Sequence, residues 1–468
     1  MEQVKAEILV PFSLHFSDLI TLSSSNSPPC SAFEQKRLEN ILKTIMETLG
    51  PSGPGLLTIT GVPKCSELRR TLLPLARKLA LLNNNDRKVI LQEQSLGTDV
   101  SFKNPDRSVS SFALQLKYVQ NVYSIKGGDS SEEQLHYEDS DSFHDFKDSE
   151  FRKLGSTFED LGICMIELGL QLAKVCDKAI GGNELEQSIL DSSAAKGRLI
   201  HYHSTLDNVL LKSAGKTKWS RKKQAIHPLG CQRSPGKSEA INMGKTRVKD
   251  SKLEAPANEV KSCETSLLNL WQQWHYDYGI FTVMTAPMFL SSCDQPAKVA
   301  EDRVSKSHEQ EPSPTGHTCL QIFDSNKNKI FVVRTPPDSF IIQVGESADI
   351  ISNGKLHSTL HSVSKPVNLT NLSRETFVVF LQPEWGKTFS ISHYHKETPN
   401  PNGQSSDMSI HSSFTMHHPE EQPRNTYQKI QEIVPPLLSR VKDGMTFAEF
   451  SRETTKQYYG RSGMQSTR

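Results

Sequence analysis

His275 and Asp277 stand two residues apart in the stretch 274–284, WHYDYGIFTVM. Side chains alternate along an extended segment, so one imidazole and one carboxylate emerge on the same face. One nitrogen and one oxygen donor, completed by a second histidine from elsewhere, make the three-ligand face that holds ferrous iron. Its opposite positions stay free for substrate and oxygen. The bland alternative is a strand-end His and Asp bonded to each other or to solvent, and the pair by itself does not exclude it. The stretch 351–363, ISNGKLHSTLHSV, offers two candidates for the missing ligand, His357 and His361. They lie four apart, so strand parity puts both on one face and does not choose between them.

A third constellation follows at 374–376, Arg-Glu-Thr, opening the apolar run FVVFLQP. Arg374 and Thr376 share a face by the same parity. A planar guanidinium makes two parallel charge-assisted bonds to a carboxylate, and a neighbouring hydroxyl adds a third.

Taken in order, these motifs resemble the 2-oxoglutarate and Fe(II)-dependent oxygenases of the isopenicillin N synthase-like class. In that class an Asn-Gly turn leads into a strand ending Leu-His-x-Val. Here Ser352-Asn353-Gly354-Lys355 is the turn and Leu360-His361-Ser362-Val363 the strand end. The series Pro336-Pro337, SFIIQVGESADIISNG is close to the family's Pro-Pro, apolar run, Val-Gly-Asp and Ser-Asn-Gly, with Glu346 for the Asp. The resemblance therefore selects His361, and implies Fe(II) on His275, Asp277 and His361. It implies 2-oxoglutarate held at its far carboxylate by Arg374 and Thr376, where the family has Arg-x-Ser. The stretch 197–203, GRLIHYH, looks like the family's Arg-x-Asn-x-Tyr-Pro, which puts Tyr202 beside 2-oxoglutarate. Ile200 replaces the Asn and His203 the Pro. His201 and His203 fall on the other face, where a strand histidine is expected to be a satisfied structural residue. The implied reaction couples oxidative decarboxylation of 2-oxoglutarate by O2 to oxidation of a C–H bond in a small-molecule substrate. The resemblance covers roughly 7–100, 155–203, 270–290, 317–385 and the last helix.

The elements that must position these residues are legible in part. Phe158, Leu161, Met165, Leu168, Leu172 and Val175 recur at helical spacing and predict a long helix ending at Gly181-Gly182. Residues 33–49 predict another. Leu68, Leu72, Leu75, Leu79 and Leu82 predict a third, with Pro74 calling for a kink or a late start. Short strands are expected over 7–11 and 56–59, and a hairpin over 318–323 and 329–333 about 324–327. Thr446-x-x-Glu449 is a capping box opening a final helix, docked by Phe447, Phe450 and Tyr458. The expected fold is mainly β with flanking helices (α+β), a double-stranded β-helix (jelly-roll) core with an N-terminal helical region.

The expected organisation is an N-terminal mixed α/β region (1–128), an acidic loop (129–150) and a long backing helix (151–196). An oxygenase domain (197–390) and a polar loop with C-terminal helices (391–468) complete it. The 468 residues carry 54 Lys+Arg against 53 Asp+Glu, a net charge of +1, which gives no bulk attraction to nucleic acid or membrane. Two insertions interrupt the oxygenase domain, about 205–270 and 291–315. The first holds 13 Lys/Arg against 6 acidic residues. Its cluster KTKWSRKK (216–223) is read first as a flexible basic loop, with a nuclear address or a nucleic-acid or protein contact as the other reading. His136 and His144 in the acidic loop, and His393, His395, His411, His417 and His418 in the tail, have no ligand spacing to recommend them. The 8 cysteines lack paired spacing and read as free thiols. No window predicts a membrane span and MEQVKAEILVPFS lacks a signal-peptide layout, so a cytoplasmic monomer is expected. The competing function is a catalytically inactive jelly-roll scaffold that binds partners through its charged insertions.

Overall fold

The computed structural model describes residues 4–24, 31–118, 148–213, 263–265, 269–291, 310, 311, 313, 316–366, 369–392, 394, 430 and 432–459. The chain opens with β1 (Val4–Leu9), β2 (Ser13–His15), α1 (Phe16–Ser23), α2 (Ala32–Leu49), β3 (Leu56–Thr60), α3 (Cys65–Leu81) and α4 (Asn84–Glu93). Then come β4 (Gly97–Thr98), β5 (Val109–Lys117), α5 (Asp148–Phe151), α6 (Leu154–Ile180), α7 (Glu184–Ser192) and β6 (Ala194–Tyr202). The next strands are β7 (Cys263–Thr265), β8 (Leu270–His275), β9 (Phe281–Thr285), β10 (Met288–Ser291), β11 (Gln310–Glu311), β12 (Leu320–Asp324), β13 (Lys329–Val333) and β14 (Phe340–Val344). The last elements are α8 (Glu346–Ile351), β15 (His361–Ser364), β16 (Leu372–Leu381), α9 (Leu437–Arg440) and α10 (Phe447–Tyr459).

Two sheets form the core, in the orders β7-β1-β13-β12-β15-β8 and β2-β3-β14-β9-β16-β6-β5-β4. The chain passes from β6 in the second sheet to β8 in the first, back to β9, over to the β12–β13 hairpin, back to β14, across to β15 and home to β16. Every pairing among these eight strands is antiparallel. Such alternation between two facing sheets is a double-stranded β-helix, the jelly-roll core expected. The N-terminal strands widen both sheets, with β3 antiparallel on β14 and β1 parallel on β13.

Strand parity divides the side chains. On β16, Phe377, Val379 and Leu381 face outward into a core shared with the helices. Val378 faces inward with Ile200, Trp271 and Ile322, between the sheets. The predicted stripe of α6 is buried throughout, and Gly181 ends the helix with φ 90° and its N–H on Asp177 O at 2.8 Å. α3 starts at Cys65, ahead of Pro74, so the late start does not occur and the helix accommodates the proline within its span. The Thr446/Glu449 box is present, with Thr446 N–H on Glu449 Oε2 at 2.9 Å and Glu449 N–H on Thr446 Oγ1 at 3.3 Å. The first expected insertion begins as helix, over 205–213. The basic cluster 216–223, most of the acidic loop and the tail histidines lie outside the described residues. Among the described residues no helix is long and apolar enough to cross a membrane.

Candidate metal centre

Register brings the two histidines together. β15 pairs with β8 so that His361 stands opposite His275, and their ring centroids are 4.2 Å apart. Asp277 is not on a strand: β8 ends at His275, and the carboxylate comes from the turn into β9. His275 Nε2 lies 3.8 Å from Asp277 Oδ1, and His361 Nε2 lies 3.8 Å from Asp277 Oδ2. The three residues present one ligand atom each within 4.8 Å of one another. His357, the other candidate, precedes the strand and is 40% exposed, with Nδ1 3.9 Å from Asp349 Oδ2. Strand parity, which would put both on one face, does not apply to His357, because β15 begins only at His361.

The opposite nitrogens fix which atom faces the centre. His275 Nδ1 lies 2.7 Å from Gln273 O, and His361 Nδ1 lies 3.0 Å from Thr359 O. A carbonyl only accepts, so both Nδ1 atoms carry a proton and the Nε2 atoms are the ones left facing the centre. Burial, reinforced by the neighbouring His361, pushes His275 down to about 4, so its ring is neutral and ligand-competent near pH 7. At Asp277 burial opposes the charge, but His361, His275 and hydrogen bonds from Thr282 and Gln343 outweigh it and hold the carboxyl below its usual range. Thr282 Oγ1 donates to Asp277 Oδ2 at 2.6 Å and Gln343 Nε2 donates to the same oxygen at 3.0 Å. Two imidazoles and one ionised carboxylate are the donor set a ferrous ion takes, and the residues present fit it.

The remaining expected residues form one line leading away from the centre. Gln272 Nε2 is 2.9 Å from His275 Nε2, and Tyr202 donates its hydroxyl to Gln272 Oε1 at 2.7 Å. The Arg374 guanidinium lies 5.1 Å from the centre of the Tyr202 ring, and the two residues face each other in register across β16 and β6. Arg374 is buried and spends its Nε–H on Thr318 O at 2.9 Å. Thr376 points to the same side, its hydroxyl 3.3 Å from Thr285 O. Gln272, Gln343 and Thr282 were not anticipated, since a polar residue on a strand gives no sign of whom it meets across a sheet.

The turn carrying Asp277 is pressed against Gly345. A Cβ at residue 345 would lie 2.3 Å from Gly279 O and 3.0 Å from Asp277 O, both backbone atoms that cannot swing aside. Gly345→Ala is therefore expected to cost about 1–3 kcal/mol of stability by overpacking. It should also weaken Fe(II) binding about 10-fold or more by displacing Asp277. Thermal midpoints and anaerobic Fe(II) titration check both; an unshifted titration would show that the turn does not set the carboxylate.

Residues 309–383 match the family model of the 2OG-Fe(II) oxygenase superfamily, whose members use Fe(II), 2-oxoglutarate and O2. No curated protein matches the chain. Among solved structures the chain is similar to a full-length Neurospora crassa protein in complex with alpha-KG, at 13% identity over 84% of this chain and 93% of that one, TM-score 0.44. It is also similar to the dioxygenase for auxin oxidation (DAO) in rice, at 13% identity over 81% and 85%, TM-score 0.41. JOX2 in complex with 2OG, Fe and JA is a third, at 11% identity over 82% and 78%, TM-score 0.42.

Proposed function

We propose, from the match of residues 309–383 to the family model of the 2OG-Fe(II) oxygenase superfamily, that this chain oxidises a small-molecule substrate at the cost of 2-oxoglutarate. His275, Asp277 and His361 would hold the iron; Arg374, Thr376 and Tyr202 would hold the co-substrate. Iron and 2-oxoglutarate supply, with O2, a two-electron oxidation of the substrate that releases succinate and CO2.

The observation that supports the reading most is the pair of Nε2 atoms aimed at one carboxylate, each with its Nδ1 proton spent on a backbone carbonyl. Gln273 and Thr359 orient the rings, while Thr282 and Gln343 orient the carboxylate and share its charge. Arg374 offers a cation already stripped of water, so a carboxylate arriving there loses little to solvent screening. Tyr202 covers that guanidinium with its ring face and joins it to Gln272, which closes the gap between the two halves of the site. Hydrophobic walls between the sheets keep water from the reacting centre.

Anaerobic addition of Fe(II) and then 2-oxoglutarate tests the proposal through the weak visible charge-transfer band of a chelated keto-acid. The band is expected in the native chain. In Arg374→Ala it should require at least about 10-fold more 2-oxoglutarate, the loss anticipated for one charged hydrogen-bond partner. Iron binding without the band would remove 2-oxoglutarate from the proposal, and absence of iron binding would leave the scaffold reading in its place.

A further inference from the structure

A second group of candidate ligands sits on the opposite, helix-facing side of the sheet. His201 lies near the end of β6, His203 comes directly after that strand, and Asp207 stands on the helix that follows over 205–213. All three are buried, with one ligand atom from each within 4.8 Å of the others. The expectation that these histidines are satisfied structural residues is met at one nitrogen of each ring. Among the described residues, neither His201 Nε2 nor His203 Nδ1 has a hydrogen-bond partner. Each ring is nonetheless held at its other nitrogen. His201 Nδ1 is 2.7 Å from Glu375 Oε1, itself fixed by the Ser373 hydroxyl at 2.8 Å, and His203 Nε2 is 2.8 Å from Ser110 Oγ.

We propose that His201 Nε2, His203 Nδ1 and Asp207 Oδ2 form a second, structural metal site for a divalent ion of the zinc type. A histidine whose far nitrogen is tied to a carboxylate, leaving a bare nitrogen aimed at an Asp, is the arrangement found around ligated metals. Spacing agrees. Two donors about 2.05 Å from a tetrahedral ion lie about 3.4 Å apart. His201 Nε2 and Asp207 Oδ2 are separated by 3.5 Å, too long for a good N–H···O bond. Two imidazoles and a carboxylate suit zinc better than calcium or magnesium, which take oxygen. Asp207 is held in place by Arg77 at 2.7 Å on Oδ1 and by the Ser204 N–H and hydroxyl on Oδ2.

Arg77 is paired with Asp207 Oδ1, which leaves Asp207 Oδ2 turned to His201. An ion seated between His201 Nε2 and Asp207 Oδ2 would meet His203 Nδ1 as its third donor. The ion would tie the end of β6 to the helix over 205–213 and, through Glu375, to the segment that carries Arg374 and Thr376.

The test uses the full chain carrying Asp277→Ala and His361→Ala, which disables the first site, so failure of the iron reading and of this one appear in different proteins. After equilibration with Zn2+ and washing with a weak chelator, zinc per chain is measured by elemental analysis. Adding Asp207→Asn, or independently His203→Gln, should remove about one zinc per chain. Stripping zinc from the parent should lower its thermal midpoint, and stripping it from either variant should not. No zinc retained by the parent, or the same zinc content with and without both substitutions in folded protein, would overturn the proposal and leave His201 as a buried imidazolium between Glu375 and Asp207. Cobalt(II) substituted for zinc gives a second readout, with visible bands that depend on His203.

Discussion

Asp277→Ala is expected to abolish the 2-oxoglutarate charge-transfer band and turnover, with Fe(II) affinity down by more than about 100-fold, beyond what loss of an outer partner costs. The carboxylate is the only charged donor among the three, and His275 Nε2 and His361 Nε2 each lie 3.8 Å from it. Without it two imidazoles remain, and the hydrogen bonds from Thr282 and Gln343 lose their acceptor. His361→Ala should have the same effect. His357→Ala should have none, because that ring is partly exposed beside Asp349. The measurement is an anaerobic titration followed at the visible band, with substrate-independent succinate formation as a second readout. A band that survives Asp277→Ala would mean that another carboxylate binds the iron, and loss of the band in His357→Ala would reverse the assignment of the two histidines.

Arg440→Ala is expected to lower stability by about 3–5 kcal/mol, the loss anticipated when one partner of a buried ion pair is removed. Both side chains of the Arg440–Glu346 pair are fully buried, with Nη1 on Oε2 at 2.8 Å, and Arg440 Nη1 also reaches Thr454 Oγ1 at 2.9 Å. The pair therefore ties α9 and α10 to α8. Burial already raises the carboxyl of Glu346 against the pull of Arg440. A carboxyl with a raised folded pKa costs stability above that pKa and costs nothing once protonated. The deficit of Arg440→Ala should accordingly shrink as pH falls toward the carboxylate range, and persist at pH 7 and above. Replacing both residues by apolar ones of similar volume should recover most of the loss. Urea unfolding of the three variants at two pH values checks this; a loss below about 1 kcal/mol at pH 7 would show that the pair is hydrated and ordinary. Fe(II) affinity should fall as well, since the Glu346 N–H donates to Asp277 O at 2.8 Å.

The sequence by itself determined what is local. The helical stripe of α6, the Thr446/Glu449 box, the Asn353-Gly354 turn with φ 53° and 79°, and the β12–β13 hairpin each follow from residues a few positions apart, whose spacing states which face is apolar. The His275-x-Asp277 pair and the run of motifs from Pro336 to Val363 carried the family and, through it, the jelly-roll expectation. Tertiary structure decided what depends on pairing across long separations. It made His361 the neighbour of His275 by register, put Asp277 on a turn pressed by Gly345, and paired Arg440 with a glutamate 94 residues away. It also turned His201 and His203, unremarkable by periodicity, toward Asp207 while their far nitrogens meet Glu375 and Ser110. Periodicity tells a side chain which face it occupies; only the register of strands distant in sequence tells it whom it meets there.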